Sequence, residues 1–154
     1  MKKIDADKLL QVSDIAIDFA TKIQEAKSKL QCHTFSFAYL IWRNPWMVVS
    51  QDCFISDMIT QFGGRNIFVH TDHHNRYPEI ELQKLKTADV VLLSSEPYPF
   101  RNKHREELHE RTGISKNRIQ LIDGELMSWH GCRMLQAFLK TQLFSNKEIF
   151  KHET

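Results

Sequence analysis

The hydrophobic pattern of the first half of the chain predicts a long helix followed by strands. Apolar residues recur every three or four positions from Leu9 to Leu30, which predicts an amphipathic helix over residues 5–30. Residues 34–42, TFSFAYLIW, are β-rich and end in a continuous apolar run, as in a strand that is buried on both faces. Further along, the pattern predicts a short extended stretch at residues 46–50, a helix in CFISDMITQF that Asp52 caps and Gly63 and Gly64 end, and a short edge strand at residues 66–68.

The second half alternates strands and helices in the same way. Residues 89–95, DVVLLSS, form the clearest buried strand, and the prolines of the following EPYPF stop it because they lack a backbone N–H. Strands that alternate with helices are typical of parallel β-α units. The other predicted elements are a polar loop at residues 69–79, a short helix at 79–86, a charged helix at 101–113, a strand at 118–123, a loop at 124–128 and a final helix at 129–144.

These elements predict an α/β fold. We expect a three-layer sandwich with a mostly parallel central sheet, a Rossmann-like lobe over residues 34–143 that the amphipathic helix precedes. The length suits one compact core, so the prediction is a single domain over residues 1–154.

Three loops follow strands in this scheme, and all three are rich in aromatic or acidic residues. They are WRNPW, SEPYPF and DGELMSW. All three should lie on one rim, because they follow the carboxyl ends of parallel strands, and ligands of open parallel sheets bind beyond those ends. The aromatic residues form either a flat apolar surface for a planar ligand or protein partner, or a plug over the sheet. They are Trp42, Trp46, Tyr98, Phe100 and Trp129.

Carboxylates are predicted on the same rim, at Glu96, Asp123 and Glu125. Paired carboxylates can act as acid and base, but no nucleophile accompanies them at a suggestive spacing. No glycine-rich phosphate loop follows any predicted strand. The sequence therefore does not favour an enzyme.

Composition excludes several partners. The chain is 42% hydrophobic and 26% charged, with a net charge of +2 and both signs interspersed. A nucleic-acid binder usually carries a basic stripe, so nucleic acid is not a predicted partner. No apolar run has the length of a membrane span, and the amino-terminal residues lack the apolar segment of an export signal.

Cysteine and histidine patterns give little support for a metal site. Cys32, Cys53 and Cys132 are widely spaced, which favours small buried thiols over disulfides or structural zinc. The HTDHH segment offers His70, Asp72, His73 and His74 to a metal, although a solvated polar loop is the favoured interpretation. The helical histidines, for which surface or capping roles are predicted, are His104, His109 and His130.

Three long motifs, in order and at fitting separations, resemble one family. They are YLIWRNPWMVVSQDCFISDMITQFGGRNIF, RYPEIELQKLKTADVVLLSSEPYPFRNKH and LIDGELMSWHGCRML. Together they resemble the carboxyl-terminal lobe of class III periplasmic substrate-binding proteins of ABC importers, the helical-backbone metal receptor superfamily, and most of all the cobalamin-binding group. The match covers about residues 34–140, and residues 5–30 look like the helix that opens that lobe.

The resemblance implies a binding protein without catalysis or a covalently bound cofactor. Its ligand would be cobalamin, haem or an iron–siderophore, held between two lobes, of which this chain matches one. The ligand-facing positions that the resemblance implies are Trp42, Arg43, Trp46, Tyr77, Glu96, Tyr98, Phe100, Glu125 and Trp129.

The resemblance also implies partners and a location. In the family each lobe presents an acidic residue to arginines of the permease, and the corresponding position here is Gln83, with Glu79 or Glu81 as substitutes. The expected partners are the ABC permease and ATPase complex and an amino-terminal lobe or a second copy of the chain. A periplasmic or other extracytoplasmic location is implied, while the missing export signal leaves the cytoplasm open. The alternative function is a stand-alone lobe that acts as an interaction or dimerisation module.

Overall fold

The computed structural model describes residues 17–18, 20–22, 24–25, 34–69 and 75–128. From residue 34 onward its strands are β1 (Phe35–Trp42), β2 (Met47–Val48), β3 (Gly64–Asn66), β4 (Val90–Ser94) and β5 (Ile119–Ile122). Its α-helices are α1 (Phe54–Thr60), α2 (Asn102–Thr112) and α3 (Gly124–Ser128), and two 3₁₀ helices span Leu82–Thr87 and Lys116–Arg118. The fold is therefore α/β, as predicted.

The sheet is mixed and mostly parallel, with β1 at its centre. Strand β4 runs parallel to β1, with Phe37 opposite Val90, and β5 runs parallel to β4. The other edge of β1 is shared: β3 pairs in parallel with its first residues, and β2 pairs antiparallel with its last. A strand that is covered on both faces of the sheet needs few polar side chains, which explains the apolar sequence of β1.

Helices cover both faces of the sheet, so the fold has three layers. Alternate side chains of β1 point to opposite faces, with Phe37 and Tyr39 packing among the residues of α1 and α3. Ala38 and Leu40 belong to the second apolar cluster, which includes Leu108 of α2. All five of these side chains are fully buried. The predicted three-layer sandwich is thus present.

Several local predictions were imprecise or wrong. Residues 124–128 form helix α3 instead of a loop, because Asp123 Oδ1 accepts the Glu125 N–H and Ser128 Oγ donates to the Gly124 carbonyl. The N-cap of α1 is Cys53, not Asp52, and makes no side-chain capping bond. The predicted strand at residues 66–68 begins earlier, at Gly64, and the helix predicted at 79–86 is the 3₁₀ helix Leu82–Thr87.

The predicted glycine stop is confirmed for α2, whereas α1 ends earlier than predicted, at Thr60 with Gln61 as its C-cap. Gly63 and Gly113 have φ angles of 88° and 74°, in the left-handed region that glycine tolerates best. The Gly113 N–H donates to the carbonyl of His109 and closes α2. The predicted buried thiol is confirmed for Cys53.

Part of the sequence prediction lies outside the described residues. It comprises most of the amino-terminal helix, the HTDHH histidines, Cys32, Cys132, His130, Trp129 and the final helix at 129–144. The described residues 17–18, 20–22 and 24–25 are helical. Within the described part of the chain, no helix is long and apolar enough to cross a membrane.

Candidate functional site

The carboxyl ends of β1, β4 and β5 meet at one edge of the sheet, because these three strands are parallel neighbours. This edge, with the loops at residues 42–46 and 95–100, Asp123 and the start of α3, is the rim. Its two proline-containing loops each hold a cis peptide bond, at Asn44–Pro45 and Glu96–Pro97. The predicted convergence of the strand-end loops is confirmed.

A row of aromatic rings crosses the rim from solvent into the core. Trp42 is 40% exposed and meets Tyr98 edge to face, with 5.7 Å between ring centroids. Tyr98 meets Phe100 at 4.8 Å, and Phe100 stacks on Trp46 at 6.1 Å with an interplanar angle of 15°. Edge-to-face and stacked pairs at these separations add stability beyond burial. The exposed end of the row is Trp42, with Tyr98 half-buried behind it.

The inner half of the row plugs the sheet. Trp46 and Phe100 are only 7% and 5% exposed, and both belong to the apolar cluster beneath α2. The sequence left two alternatives open for the aromatic residues, a binding surface or a plug over the sheet. Burial shows that Trp46 and Phe100 form part of the plug. They support the exposed rings from below.

Arg43 is engaged in an ion pair. Its Nε and Nη2 donate to the two carboxylate oxygens of Glu107 on α2, at 2.8 and 3.0 Å. These hydrogen bonds hold the pKa of Glu107 below its ordinary value. The Arg43 guanidinium also lies 5.9 Å from the centroid of the Trp46 ring. Arg43 thereby fastens the loop after β1 to α2.

Buried hydroxyls hold the loop after β4. The Tyr39 phenol donates to Ser94 Oγ at 3.0 Å, and Ser94 Oγ accepts the N–H of Glu96 at 3.2 Å. Burial raises the pKa of Tyr39 well above its ordinary value, so its hydroxyl keeps its proton. A Cβ on Gly124 would lie 2.4 Å from Ser94 Oγ, so only glycine lets the start of α3 approach this loop.

Acidic side chains lie on the solvent side of these buried hydroxyls. Glu96, Asp123 and Glu125 are all exposed, at the ends of β4 and β5. One open hollow of about 550 Å³ is lined by residues that include all three carboxylates and Phe100. A second, of about 460 Å³, is lined by Tyr39, Glu96 and Gly124 among others. The rim thus combines an aromatic end with an acidic, hollowed end.

His104 is buried beside the rim, although the sequence predicted only a surface or capping role. It is 4% exposed, and its Nδ1 accepts the Arg101 N–H at 2.9 Å, which confirms the capping role. Its Nε2 lies 3.2 Å from the Tyr98 hydroxyl. The signal in the sequence was its place three residues after Arg101, the position that glutamate or glutamine takes in a capping box.

Three predicted site residues lie away from the row of rings. Tyr77 is 47% exposed in a segment that runs beside β2, where the Val48 N–H donates to the Pro78 carbonyl. Glu81 is exposed and directly precedes the 3₁₀ helix Leu82–Thr87. Gln83 is also exposed, with Nε2 at 3.5 Å from the Arg111 carbonyl oxygen. The described residues contain no cluster of three metal-ligating side chains.

Comparison with solved structures gives clear matches. The vitamin B12 binding protein BtuF of Vibrio cholerae has a TM-score of 0.68 at 16% identity, covering 91% of this chain and 55% of BtuF. A possible iron-binding, periplasmic solute-binding protein of Staphylococcus epidermidis has a TM-score of 0.70 at 15% identity, covering 95% and 57%. The heme binding protein HutB of Vibrio cholerae has 0.63 at 15%, covering 89% and 60%.

The chain has the fold of one lobe of a periplasmic binding protein. The resemblance inferred from the sequence, to the class III or helical-backbone binding proteins, is confirmed at the level of the fold. The chain spans between 55% and 60% of the length of these three structures. No family model matches the sequence. A search of curated proteins also gave no significant match.

Proposed function

We propose that this chain is the carboxyl-terminal lobe of a solute-binding protein that serves an ABC-type importer. Its ligand would be cobalamin, haem or an iron–siderophore, held between the rim and a second lobe without any covalent step. The observation that carries the proposal is the exposed Trp42–Tyr98 end of the ring row, which shares the rim of this fold with two open hollows. Binding proteins for vitamin B12, heme and iron are among its structural relatives.

The two ends of the rim divide the work of recognition. Trp42 and Tyr98 offer rigid aromatic area, against which a large planar or partly apolar ligand loses little conformational entropy. Glu96 and Glu125 stand over the hollows and would accept hydrogen bonds from the polar periphery of the ligand. Trp46 and Phe100 hold the exposed rings in place, and Arg43 holds the loop that carries Trp42.

Tyr77 and Trp129 complete the set of proposed ligand-facing residues. Tyr77 would contact the ligand only if the bound molecule reaches past β2, since its segment pairs along that strand. We also propose that the importer docks on the face carrying Glu79 and Glu81, both exposed, with Gln83 beside them. An extracytoplasmic location follows from this function.

Isothermal titration calorimetry of the purified chain with cyanocobalamin, hemin and ferrichrome tests the proposal. At least one ligand should bind saturably, and Trp42→Ala should weaken its binding by about two- to tenfold, the equivalent of one aromatic contact. Arg65→Ala is the matched control, because Arg65 pairs with Ser36 at the opposite, amino end of β1 and should leave affinity unchanged. Tyr77→Ala measures separately whether the ligand reaches beyond β2.

Two results would overturn the proposal. One is the absence of binding by all three ligands. The other is binding that Trp42→Ala and Arg65→Ala weaken equally, which would place the ligand away from the rim. If the chain binds none of them and instead dimerises with a Trp42-dependent sedimentation coefficient, the rim is an interaction surface, which was the alternative from the sequence.

A further inference from the structure

His104 connects the first turn of α2 to the row of aromatic rings. Its ring lies 5.3 Å from that of Tyr98 and 5.5 Å from that of Phe100, both edge to face. The side chain is buried, and both of its nitrogen atoms face a hydrogen-bonding group. A polar ring enclosed in this way is fixed in orientation, and it fixes its neighbours in turn.

The two contacts of His104 assign its protonation state. The Arg101 N–H points at Nδ1 from 2.9 Å, so Nδ1 must offer a lone pair. A neutral imidazole that accepts at Nδ1 carries its proton on Nε2. That Nε2–H then donates to the Tyr98 hydroxyl oxygen, 3.2 Å away. The geometry is satisfied by one tautomer of the neutral ring.

We propose that neutral His104 is a positioning residue, which fixes Tyr98 within the ring row, and that protonation of His104 releases Tyr98. The effect on ligand binding rests on the proposed function, whereas the effect on the position of Tyr98 does not. A second proton on the ring would go to Nδ1, where it would face the Arg101 N–H donor at hydrogen-bond distance. Two donors would then face each other, so the imidazole ring would have to move away from the Arg101 N–H, and its Nε2–H would move away from the Tyr98 hydroxyl with it.

The surroundings of His104 set the direction of the effect. Burial opposes the charged form, and the cations of Lys103, Arg43 and Arg101 oppose it further. Glu107 is the carboxylate that favours it, and Glu107 is already paired with Arg43. The pKa of His104 is accordingly lowered, so the contact with Tyr98 is intact at neutral pH and is lost only in acid.

Nuclear magnetic resonance of the ligand-free chain tests the position of Tyr98 directly. Long-range ¹H–¹⁵N spectra at pH 7 should show the Nε2–H tautomer of His104. On acidification the ring signals of Tyr98 and Trp42 should shift with the same midpoint as His104 itself, below the ordinary histidine value. An Nδ1–H tautomer would overturn the proposal, as would a His104 that titrates without moving these rings or stays neutral until the protein unfolds.

Two variants separate positioning from a general structural role. In His104→Gln the amide oxygen can still accept the Arg101 N–H, as in an ordinary capping box, but the side chain does not titrate. The acid shift of the Tyr98 and Trp42 signals should therefore disappear. His109→Gln is the matched control, because His109 lies on the same helix and faces the Ile114 carbonyl. It should keep the shift, and persistence of the shift in His104→Gln would contradict the proposal.

A ligand experiment then joins this result to the proposed function. The affinity of the wild-type chain for cyanocobalamin should fall by about tenfold as pH passes below the His104 midpoint, if one hydrogen-bonded ring contact is lost. The affinity of His104→Gln should fall less than that of the wild-type chain over the same range, since Glu96 and Glu125 are present in both proteins, and an equal fall in both would overturn this role. If neither cyanocobalamin, hemin nor ferrichrome binds at pH 7, the proposed function fails, while the magnetic resonance result still decides whether His104 positions Tyr98.

Discussion

Trp42 and Trp46 lie four residues apart in one loop, yet the structure gives them opposite environments. Trp42 ends β1 with 40% of its surface exposed, whereas Trp46 is 7% exposed and stacked on Phe100. The loop between them turns the chain back into the antiparallel strand β2. One aromatic residue is therefore available to a partner and the other supports the core, a difference that composition alone could not express.

This difference predicts unequal costs of truncation. Trp46→Ala should lower the free energy of unfolding by about 3–5 kcal/mol, as for other buried aromatic residues, and Trp42→Ala by about 1 kcal/mol or less. Urea denaturation followed by circular dichroism measures both values. Trp46→Phe is the control and should cost less than Trp46→Ala. Phenylalanine keeps an aromatic ring that can stack on Phe100, and the buried Trp46 Nε1 has no hydrogen-bond partner among the described residues to lose. Similar losses in Trp42→Ala and Trp46→Ala would contradict the assignment of Trp46 to the core.

At the scale of elements, helix α2 is tied to the rest of the fold by long-range contacts. Its sequence, NKHREELHERT, alternates charges and predicts a solvated helix with local ion pairs. In the structure Glu107 reaches Arg43, which lies 64 residues earlier, with two hydrogen bonds. His104 reaches Tyr98 of the preceding loop. The charged pattern of the sequence therefore did not indicate that Glu107 and His104 connect the helix to the rim.

The Arg43–Glu107 pair predicts a pH-dependent stability. Its hydrogen bonds hold the folded-state pKa of Glu107 below the unfolded value, so the pair stabilises the protein above that unfolded value, near about 4.3. The contribution is lost as pH falls through the lower folded-state pKa. Glu107→Gln should therefore lower the urea midpoint at pH 7 and have little effect near pH 3.

Glu110→Gln is the matched control for this pair, since Glu110 is an exposed glutamate on the same helix. It should leave the midpoint almost unchanged at both pH values. A Glu107→Gln effect of equal size at pH 7 and pH 3 would show that the side chain acts through packing and not through its charge.

The sequence predicted the elements whose pattern is strong and missed features that depend on tertiary contact. β1, β4 and β5 are apolar enough to identify, and their order along the chain was sufficient to place their ends on one rim. Helix α3 was mistaken for a loop because five residues are too few to show a helical period. The burial of Trp46 and Phe100 was left open, because it depends on stacking between loops that lie more than fifty residues apart.

At the scale of the whole molecule, the chain matches little more than half of the length of its structural relatives, and its described residues form a buried apolar cluster on each face of the sheet. The sheet carries a buried apolar cluster on each face, and the members of both clusters lie between Phe35 and Met127. Long-range hydrogen bonds also join neighbouring strands of the sheet: Ser36 Oγ at the start of β1 donates to Asp89 Oδ2, just before β4, at 2.7 Å.

These shared clusters predict cooperative unfolding, with the sequence prediction of a single domain as its basis. In a Trp129→Phe variant, tryptophan fluorescence reports on the rim through Trp42 and Trp46, while far-ultraviolet circular dichroism reports on all helices and strands. Their urea transitions should coincide, because the ring row, α2 and the sheet share one apolar cluster and cannot unfold separately. A fluorescence transition that precedes loss of secondary structure would show that the rim is a separate unit, and the rigid platform on which the proposed binding depends would then be absent.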